Sequence, residues 1–416
     1  MNDLPAPRIT ILGFTVPDEL LADAGIPLTV APQTRNFAAS LQSALLAAGA
    51  EVSLISTFPV QNYPAEGRLA WRSQEFLSDQ VVGQQLGFIN IVFLKHLSRF
   101  ISCMISGRRH MRMFHTDILL IHGVHSPFLW FARLVKARTG VTVIPILTDP
   151  PGVILESDRA IIKLMKRIDA RAIRKSIRGM DGVVSLTKEL GADLAPTLPK
   201  LVMEGILSPT FTQLQLGAPP VREPFVIAYA GGLTNRYGVQ SLVEAVQAFP
   251  GTNISLKVCG SGPLQEWVSR VSRDDPRVEY LGVLPIAGVI EVYRSAHLLI
   301  NPRPITEDFV RYSFPSKMIE YMSTGRPVLT TRLPGIPEEY KPFVWFTTGD
   351  STASLRAAVE HLVATPESTL NDRAREAQAF VQSRTSPNAQ GTRIVHFART
   401  LLSRDPADRL RIPPNT

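Results

Sequence analysis

The chain has 416 residues, of which 45% are apolar and 19% charged, with 27 glycines and 33 prolines. This composition is typical of a globular protein and excludes a collagen, a coiled coil and a largely disordered chain. At about 100–200 residues per domain, the length predicts two domains. Cys103 and Cys259 lie far apart and have no Cys or His partners at metal-ligand spacing, which excludes a disulfide framework and a structural zinc site and favours a reducing compartment.

The charge balance narrows the classes of partner. Forty-four Lys and Arg against 36 Asp and Glu give a net charge of +8, which suits nucleic acid, an acidic membrane surface or a phosphorylated small molecule. The opening segment MNDLPAPRITILGF has an acid and prolines where a signal peptide needs a basic start, and no run reaches about 18 apolar residues. We therefore expect neither a signal peptide nor a membrane-spanning helix.

Short apolar runs bounded by turn residues, typical of buried parallel strands, occur in two series. Helical patterns alternate with them, which predicts βαβ units and parallel sheets in each half of the chain. The predicted fold is α/β, with Rossmann-like domains over 1–210 and 220–390 and a C-terminal helix and tail over 391–416 that we expect to pack on the first domain. The predicted strands cover 8–14, 51–56, 117–122 and 141–147, then 225–229, 254–260, 278–281, 297–301 and 327–331.

Two segments interrupt this alternation with basic amphipathic patterns. Residues 81–116 contain no acidic residue and mix Lys95, Arg99 and further arginines with apolar residues, and residues 158–178 carry eight basic residues in a helical pattern. Such patterns are typical of helices at a membrane surface, although a solvated basic face on an ordinary helix is also common. No nucleic-acid-binding motif is present, so we expect an anionic membrane surface and no nucleic acid.

Three loops of the second half follow predicted strands and carry groups suited to phosphate. They contain Gly231 and Gly232, then Gly260 and Gly262, and finally Arg303. Glycine turns bring backbone N–H groups close to an anion, and ligands bind at the carboxyl edge of open parallel sheets. The first turn fits neither GxGxxG nor a P-loop, so a classical dinucleotide site is not favoured.

The segment 314–327 (FPSKMIEYMSTGRP) predicts a short helix. Pro315 suits its first turn, and Gly325 followed by Pro327 ends it. Lys317 lies near the amino end, where a cation opposes the helix dipole unless an anion binds there. Glu320, one turn further on, offers two oxygens to vicinal hydroxyls such as those of a ribose.

As a set, these stretches resemble the nucleotide-sugar-binding domain of retaining glycosyltransferases of family 4. The resemblance implies the GT-B fold, in which two Rossmann-like domains face each other across a cleft, and is nearest to bacterial members that build exopolysaccharides or other surface glycans. The first half matches less closely, through IHGVHSPF and LTDP. The matching stretches, over roughly 224–340, are YAGGLTNRYGVQSLVEAV, CGSGPL, YLGVL, LINPRP and FPSKMIEYMSTGRPVLTTRLPGIPEEY.

The resemblance implies a donor site in the second half. Glu320 matches the second Glu of the family's Glu-x7-Glu motif, which holds the ribose, whereas Tyr312 stands at the first, with Glu307 and Asp308 as candidate substitutes. Gly232 and Tyr237 stand at or near the family's diphosphate-binding Arg and Lys. Arg236, Arg303 and Lys317 are the candidates to supply the missing charge, Arg236 and Lys317 in a catalytic role. The other expected donor-binding residues are Gly231, Gly232, Gly260, Gly262, Phe314, Pro315 and Ser316.

The resemblance also implies roles in the first half. His122, after the strand DILLI, is expected to bind the donor sugar or the acceptor near the reacting carbon and is counted as catalytic, although a satisfied histidine at a strand end is the plain alternative. Arg35, His125 and Asp149 are expected to bind the acceptor.

The function that follows is transfer of a sugar from a nucleoside diphosphate to an acceptor, with retention and without a metal or cofactor, since no Asp-x-Asp is present. The expected acceptor is a saccharide, polyprenyl-diphosphate-linked, and the enzyme is expected in the cytoplasm, peripheral at the inner face of the membrane. Two alternatives remain: a GT-B enzyme of different outcome, such as a sugar-nucleotide epimerase or an inverting transferase, and a non-catalytic partner subunit, which Tyr312 and Gly232 would suit.

Overall fold

A computed structural model describes residues 5–27, 30–78, 81–152, 160–217, 221–251, 253–306 and 308–403, without the side chains of Pro32 and Asp308. The chain forms two compact units. Unit 1 runs up to Ile206 and resumes at Pro387, and unit 2 is Leu207–Ser386.

The sheet of unit 1 is parallel except at one edge. Its order is β10-β9-β8-β7-β1-β2-β5-β4, with β4 antiparallel to β5, and β3 pairs with β6 in a separate antiparallel ribbon. The central strands are apolar and buried on both faces, as expected for strands covered by helices. The strands are β1 (Arg8–Gly13), β2 (Glu51–Ser56), β3 (Ala70–Trp71), β4 (Gln74–Ser78), β5 (Val81–Gln85), β6 (Phe88–Ile89), β7 (Ile118–His122), β8 (Thr142–Leu147), β9 (Val183–Ser185) and β10 (Lys200–Val202).

The helices of unit 1 connect these strands. A π-helical segment, Cys103–Gly107, lies between the third and the fourth helix, so that they form one continuous rod. The helices are α1 (Asp18–Asp23), α2 (Pro32–Ala47), α3 (Leu94–Ser102), α4 (Arg108–Phe114), α5 (Ser126–Thr139), α6 (Ala160–Ile177) and α7 (Lys188–Leu194).

Unit 2 is a parallel six-stranded sheet in the order β13-β12-β11-β14-β15-β16. Two buried apolar clusters cover its faces. The elements are α8 (Pro209–Thr212), β11 (Phe225–Ala230), α9 (Val239–Gln247), β12 (Ile254–Cys259), α10 (Gln265–Asp274), β13 (Val278–Tyr280), α11 (Ile286–Ser295), β14 (Leu298–Asn301), α12 (Ser316–Ser323), β15 (Val328–Thr330), β16 (Trp345–Phe346), α13 (Thr352–Ala364) and α14 (Glu367–Thr385), with 3-10 turns at Asn235–Tyr237, Asp308–Arg311 and Glu338–Phe343.

The last helix, α15 (Pro387–Leu402), returns to unit 1 and packs against α2. The two helices approach closely at Gly391, where a Cβ atom would lie 1.8 Å from the backbone oxygen of Ala44. Ile394 and Ala398 of α15 are fully buried in the same cluster as Leu41 of α2. A glycine at this contact lets the backbones meet, and the flanking apolar residues then bury their surface.

The predicted α/β class and the nine predicted strands are confirmed, each within one or two residues of its expected bounds. The first of the helical patterns between the predicted strands, near residues 37–48, belongs to α2, which begins earlier, at Pro32, and ends at Ala47. Short strands such as β9, β10 and β16 had no sequence signal, because two or three residues are too few to form a pattern.

Residues 81–116 differ in two respects from the basic amphipathic helix expected at a membrane surface. The segment begins with two strands, and α3 turns its basic residues inward: Lys95 is 5% and Arg99 3% exposed. The outward stripe is apolar instead, with Phe93 66% and Leu97 52% exposed. Carbonyl oxygens within the fold accept hydrogen bonds from both cations, which explains how the fold accommodates them.

The second basic segment does form a helix, α6, although Asp158 and Arg159 lie outside the described residues. Arg167, Arg171 and Lys175 are exposed there, next to the exposed apolar residues Ile161, Leu164 and Ile168. In the described part of the chain, no helix has the length and apolar character needed to span a bilayer.

Candidate functional site

Two glycine turns meet at the carboxyl edge of the unit 2 sheet. Gly260, after β12, has φ +134°, and a Cβ there would lie 1.8 Å from the backbone oxygen of Gly231, after β11. Leu233 N–H donates to the Ser261 carbonyl at 2.9 Å, which ties the turns together. Gly262, with φ +156°, would bring a Cβ within 2.5 Å of the Leu233 oxygen. The sequence therefore needs glycine here for close backbone approach.

The loop after β14 joins the same edge through Arg303. Its guanidinium carbon lies 4.8 Å from the centroid of the Tyr237 ring and 5.6 Å from that of Phe309. Arg236 covers the same Phe309 ring at 4.7 Å. Two cations and two aromatic rings thus form one stack, which we call the Arg303 stack (Arg236, Tyr237, Arg303 and Phe309). Cation–π contacts of this kind hold guanidinium groups without neutralising them.

Arg303 retains unused hydrogen-bonding capacity. Its Nε and Nη1 atoms are buried and have no partner among the described residues. Burial lowers its pKa from the ordinary value, while Tyr237 and Tyr229 act in the opposite direction. A buried donor without a partner is unfavourable by about 1–3 kcal/mol, more for a charged group. The guanidinium is therefore arranged to donate to an anion.

The absence of a side chain at Gly232 makes room for the Arg303 stack. A Cβ at position 232 would lie 3.0 Å from the ring of Tyr237, so the absence of a side chain leaves room for the ring that carries Arg303. Where the resemblance places an Arg and a Lys, this chain therefore has a glycine and a tyrosine and brings a guanidinium from the loop after β14.

Helix α12 contributes the other charged side chains at this edge, Lys317 and Glu320. Pro315 precedes its first residue, and Gly325, with φ +70°, follows its end, as the sequence predicts. Lys317 Nζ donates to Glu320 Oε1 at 2.6 Å, and the Tyr293 hydroxyl donates to the same oxygen at 2.5 Å. Oε2 of Glu320 has no protein partner in the described part of the chain and stays available to a ligand. The cation near the helix start is thus balanced by Glu320.

Cys259 links α12 to the glycine turns. It directly precedes Gly260, and both Lys317 and Glu320 act on its thiol. Burial raises the pKa of that thiol to about 11, so it stays protonated at neutral pH. The paired Lys317 and Glu320 therefore lie beside the turn after β12.

The remaining residues expected at the donor site have different surroundings. Phe314 is buried against Tyr340, with ring centroids 5.2 Å apart, and Pro315 is buried as well. Both residues therefore belong to the core on which α12 begins. Ser316 is the first residue of α12 and is exposed. Tyr312 contacts Arg311. Glu307 and the side chain of Asp308 lie outside the described part.

In unit 1, His122 ends β7 and is 2% exposed. Its Nδ1 lies 3.4 Å from Thr15 Oγ1, and its ring centroid 5.2 Å from that of Phe37. Burial lowers the pKa of His122 to about 4, so the ring is neutral at physiological pH and can donate one hydrogen bond and accept another but adds no charge.

The three expected acceptor residues of unit 1 have different surroundings. Arg35 Nε pairs with Asp18 at 3.0 Å, and Asp149 is exposed. His125 is half-buried among rings, with its centroid 5.8 Å from that of Phe14, and burial together with Arg99 holds its pKa well below the usual range.

Sequence reasoning missed Tyr293 and Phe309. Tyr293 lies on α11, 27 residues before the carboxylate it contacts, and no spacing rule relates the two. Phe309 lies in the 3-10 turn after β14. Among the described residues, no group of three or more His, Cys, Asp and Glu side chains is placed to hold a metal ion.

Comparison with known proteins identifies the class. Residues 224–365 match the family model described as glycosyl transferases group 1. The fold is similar to sucrose-phosphate synthase from Thermosynechococcus elongatus (TM-score 0.64, 14% identity, 95% of this chain and 99% of that one), to Anabaena HepE in complex with UDP (0.62, 12%, 94% and 100%) and to the lipopolysaccharide outer core galactosyltransferase WaaB (0.59, 14%, 94% and 99%). A search of curated proteins finds no match.

These relatives share the GT-B fold with two Rossmann-like domains, which is the fold of this chain. The group 1 match covers the sheet, the glycine turns, the Arg303 stack and α12, all in unit 2. The domain match and the fold together support an enzyme of the transferase class, a glycosyltransferase.

Proposed function

We propose that the protein is a retaining glycosyltransferase of family 4 that takes a sugar from a nucleoside diphosphate. The observation that carries the proposal is the convergence of the Arg303 stack, the glycine turns and the Lys317–Glu320 pair on one edge of the unit 2 sheet. The stack supplies positive charge for the diphosphate, and Glu320 Oε2 accepts from the ribose hydroxyls. HepE, similar in fold, is known in complex with UDP-glucose.

The proposed reaction needs no protein nucleophile and no metal. The bond between the anomeric carbon and the phosphate oxygen breaks, the acceptor oxygen bonds to the same face of that carbon, and the acceptor's proton passes to the departing phosphate. Arg303, Arg236 and Lys317 stabilise the charge that develops on the diphosphate. His122, neutral because it is buried, is proposed to position a hydroxyl rather than to hold charge. Arg35, His125 and Asp149 are proposed to contact the acceptor.

We further propose that the acceptor is a lipid-linked saccharide in polysaccharide or glycoconjugate biosynthesis, reached at the cytoplasmic face of the membrane. On α6, exposed basic residues flank exposed Ile161, Leu164 and Ile168, and this combination suits an anionic lipid surface. On α3, the outward stripe is apolar. The proposed binding therefore combines insertion of apolar side chains with attraction to anionic lipids.

A donor screen tests the catalytic proposal. Thermal shift across common nucleotide sugars should single out one donor, since a bound ligand stabilises the protein according to its affinity. Glu320→Ala should then weaken binding of that nucleotide by about 1.5–3 kcal/mol. Glu291→Ala is the matched control, because Glu291 also pairs with a cation three residues away but is exposed on α11. NMR of the product reports the anomeric configuration.

Several outcomes would contradict the proposal. If uridine, guanosine and adenosine diphosphates all give no heat in calorimetry, the protein is a non-catalytic subunit. If the sugar nucleotide changes configuration without an acceptor, it is an epimerase.

Vesicle flotation tests the membrane proposal. Leu97→Ser with Ile101→Ser, and separately Arg167, Arg171 and Lys175 to Gln, should each lower binding to vesicles that contain anionic lipid. Val283→Ser, which removes an exposed apolar residue of unit 2, should leave it unchanged. Equal flotation of all variants would end the membrane proposal.

A further inference from the structure

The loop after β14 that carries Arg303 is stiff because of its sequence. Pro302 and Pro304 flank Arg303. A proline ring fixes its own φ at about −65°, and a residue that precedes a proline, as Arg303 does, is largely excluded from the helical region. The two prolines also lack backbone N–H groups, so few donors of this loop need a partner. The backbone around Arg303 is therefore restricted before it makes any tertiary contact.

A buried threonine next to β15 holds the middle of this loop. Thr331 directly follows β15 and is fully buried, and its Oγ1 donates to the carbonyl oxygen of Arg303 at 2.5 Å. Because β14 and β15 are neighbours in the sheet, the bond joins the ends of two adjacent parallel strands. A hydroxyl has one proton to donate, and here that proton fixes the peptide group between Arg303 and Pro304.

Further hydrogen bonds fix the backbone of Thr331 itself. Asn301, the last residue of β14, donates from Nδ2 to Thr330 Oγ1 at 2.9 Å, and Thr330 Oγ1 donates to the carbonyl oxygen of Thr331 at 3.2 Å. The N–H of Leu333 donates to the same oxygen at 2.8 Å. Asn301 and Thr330 are buried as well, and hydrogen bonds in a buried place of low dielectric are costly to break. The residue that contacts Arg303 is therefore held firmly in place.

Two other elements fix the ends of the loop. A Cβ atom at Gly238, which has φ +74° and follows the 3-10 turn Asn235–Tyr237, would lie 1.9 Å from the carbonyl oxygen of Pro302. At the other end, the N–H of Ile305 donates to Oδ2 of Asp350, in the segment before α13, at 2.9 Å. Together with the bond from the end of β15, contacts from three elements distant in sequence restrain the whole loop.

The restraint matters because the guanidinium of Arg303 keeps donors free. Its Nε and Nη1 atoms are buried and have no partner among the described residues, while the rings of Tyr237 and Phe309 lie against it. A protein acceptor on these atoms would occupy the donors that a ligand needs, so such a cation has to be held through its backbone and by ring contacts. A site that is ordered before the charge develops stabilises that charge without rearranging.

We propose that Thr331 and Asp350 are positioning residues that hold Arg303 in the orientation in which its free donors bind the diphosphate of the nucleotide sugar. The inference rests on the proposed function, which names that diphosphate as the ligand of Arg303. Thr331 acts on the carbonyl oxygen of Arg303 and Asp350 on the N–H of Ile305, and neither is proposed to touch the ligand. Without either contact the loop samples other conformations, binding has to order it again, and the affinity falls.

Calorimetry with UDP, GDP and ADP tests the role of Thr331. Thr331→Val keeps the shape of the side chain but removes the donor to the Arg303 carbonyl, and it should raise the dissociation constant of the nucleotide that wild type binds by roughly fivefold or more. Thr331→Ser keeps the hydroxyl and should stay within about twofold of wild type. Thr385→Val is the matched control, because Thr385 is also fully buried and donates to a carbonyl, that of Val381, at 2.7 Å. It should lower stability without altering affinity.

Two neutral substitutions of Asp350 test the other contact. Asp350→Asn and Asp350→Ala remove the same negative charge, but only the asparagine keeps an oxygen that can accept from the Ile305 N–H. Asp350→Ala should therefore bind the nucleotide roughly threefold more weakly than Asp350→Asn. Asp350 is only partly buried, so this pair should fold and decide the question even if Thr331→Val does not fold. Equal affinities of the two Asp350 variants would overturn the positioning role of Asp350.

A double-mutant cycle separates positioning from a purely structural role. In the Arg303→Met background, Thr331→Val should have no further effect on nucleotide affinity, because no guanidinium is left to orient. Additive losses of affinity would overturn the proposal, since Thr331 would then act independently of Arg303. The proposal is also overturned if Thr331→Val lowers thermal stability, as Thr385→Val does, and leaves the affinity unchanged.

A spectroscopic measurement reports the orientation of Arg303 without a ligand. In 15N NMR, the Nε–H signal of Arg303 should be single and sharp in wild type and in Thr331→Ser, and broadened or split in Thr331→Val. The same signal in all three proteins would refute the restraint. If UDP, GDP and ADP all fail to bind wild type, the proposed function fails and the inference with it. If wild type binds and Glu320→Ala weakens binding but Thr331→Val does not, the positioning role alone fails.

Discussion

Basic side chains lie at the carboxyl edges of both sheets, but two of those in unit 2 are exposed to solvent, whereas those of unit 1 are buried. In unit 2, Lys317 and Arg236 are accessible to solvent, and the glycine turns lie at the same edge. In unit 1, His122 and Arg99 are almost fully buried, and burial lowers the pKa of each. The difference indicates that the edge of unit 2 can take up an anion directly, whereas that of unit 1 keeps its imidazoles neutral and its guanidinium desolvated.

The largest effect on stability and on nucleotide binding is expected from a substitution in the glycine turns, at the exposed edge of the unit 2 sheet. Gly260→Ala should destabilise unit 2 by about 3 kcal/mol, because strain and overpacking contribute about 1–3 kcal/mol each, and should abolish nucleotide binding. Denaturant unfolding and calorimetry measure both. Gly282→Ala, also at positive φ but with no atom within 4 Å of the new Cβ, should show only the strain, about 1–2 kcal/mol. Equal losses would show that the close contact with Gly231 is unimportant.

Burial of His122 at the edge of the unit 1 sheet should make the unfolding free energy depend on pH. The pKa of His122 is about 4 in the fold and 6.5 ordinarily, so the unfolded chain binds the proton first as the pH falls. Lowering the pH from 6.5 to 4 should therefore remove about 3 kcal/mol of unfolding free energy. His122→Gln should lack this part of the slope in urea unfolding, while the exposed His361→Gln should keep it. Identical slopes for wild type and His122→Gln would contradict the burial effect.

Replacing Arg303 in the Arg303 stack should weaken nucleotide binding without lowering the stability of the fold. Arg303→Met should weaken nucleoside diphosphate binding by about 1.5–3 kcal/mol. It should leave the unfolding free energy unchanged or raise it, because two buried donors without partners disappear. Arg373→Met, where Arg373 lies over the Trp345 ring at 4.4 Å, is the control and should not alter binding. A purely structural Arg303 would lower stability and leave affinity intact.

The smallest effect is expected at Tyr293, which positions Glu320. Tyr293→Phe removes one hydrogen bond to Oε1 and should weaken nucleotide binding by about 1 kcal/mol. In the Glu320→Ala background the same change should have no further effect on affinity, which a double-mutant cycle measures. Additive losses would mean that Tyr293 acts independently of the carboxylate.

Much of the fold was predictable because its central strands are continuous apolar runs. The orientation of α3 was not, since residues 93–101 contain two stripes at the same four-residue spacing, one basic and one apolar. A helical pattern identifies both stripes, but only the loops that supply carbonyl oxygens determine which one turns inward. Those loops are distant in sequence.

The same reasoning separates the predictable and unpredictable parts of the candidate site. Lys317, Glu320 and the end of α12 follow from local signals of helix start, charge and stop. The contact of Tyr293 with Glu320 and the stacking of Arg303 on Tyr237 depend on tertiary packing between elements tens of residues apart. A local sequence pattern cannot predict contacts of this kind.

The return of α15 to α2 has a consequence for biosynthesis. A ribosome must synthesise the chain as far as Leu402 before the face of α2 that holds Leu41 and Leu45 is covered by α15. Until then, the nascent amino-terminal part exposes an apolar strip that invites chaperone binding. A truncated protein that ends at Ile206 should share this defect permanently and aggregate, and supplying Pro387–Leu402 as a separate peptide should rescue its solubility.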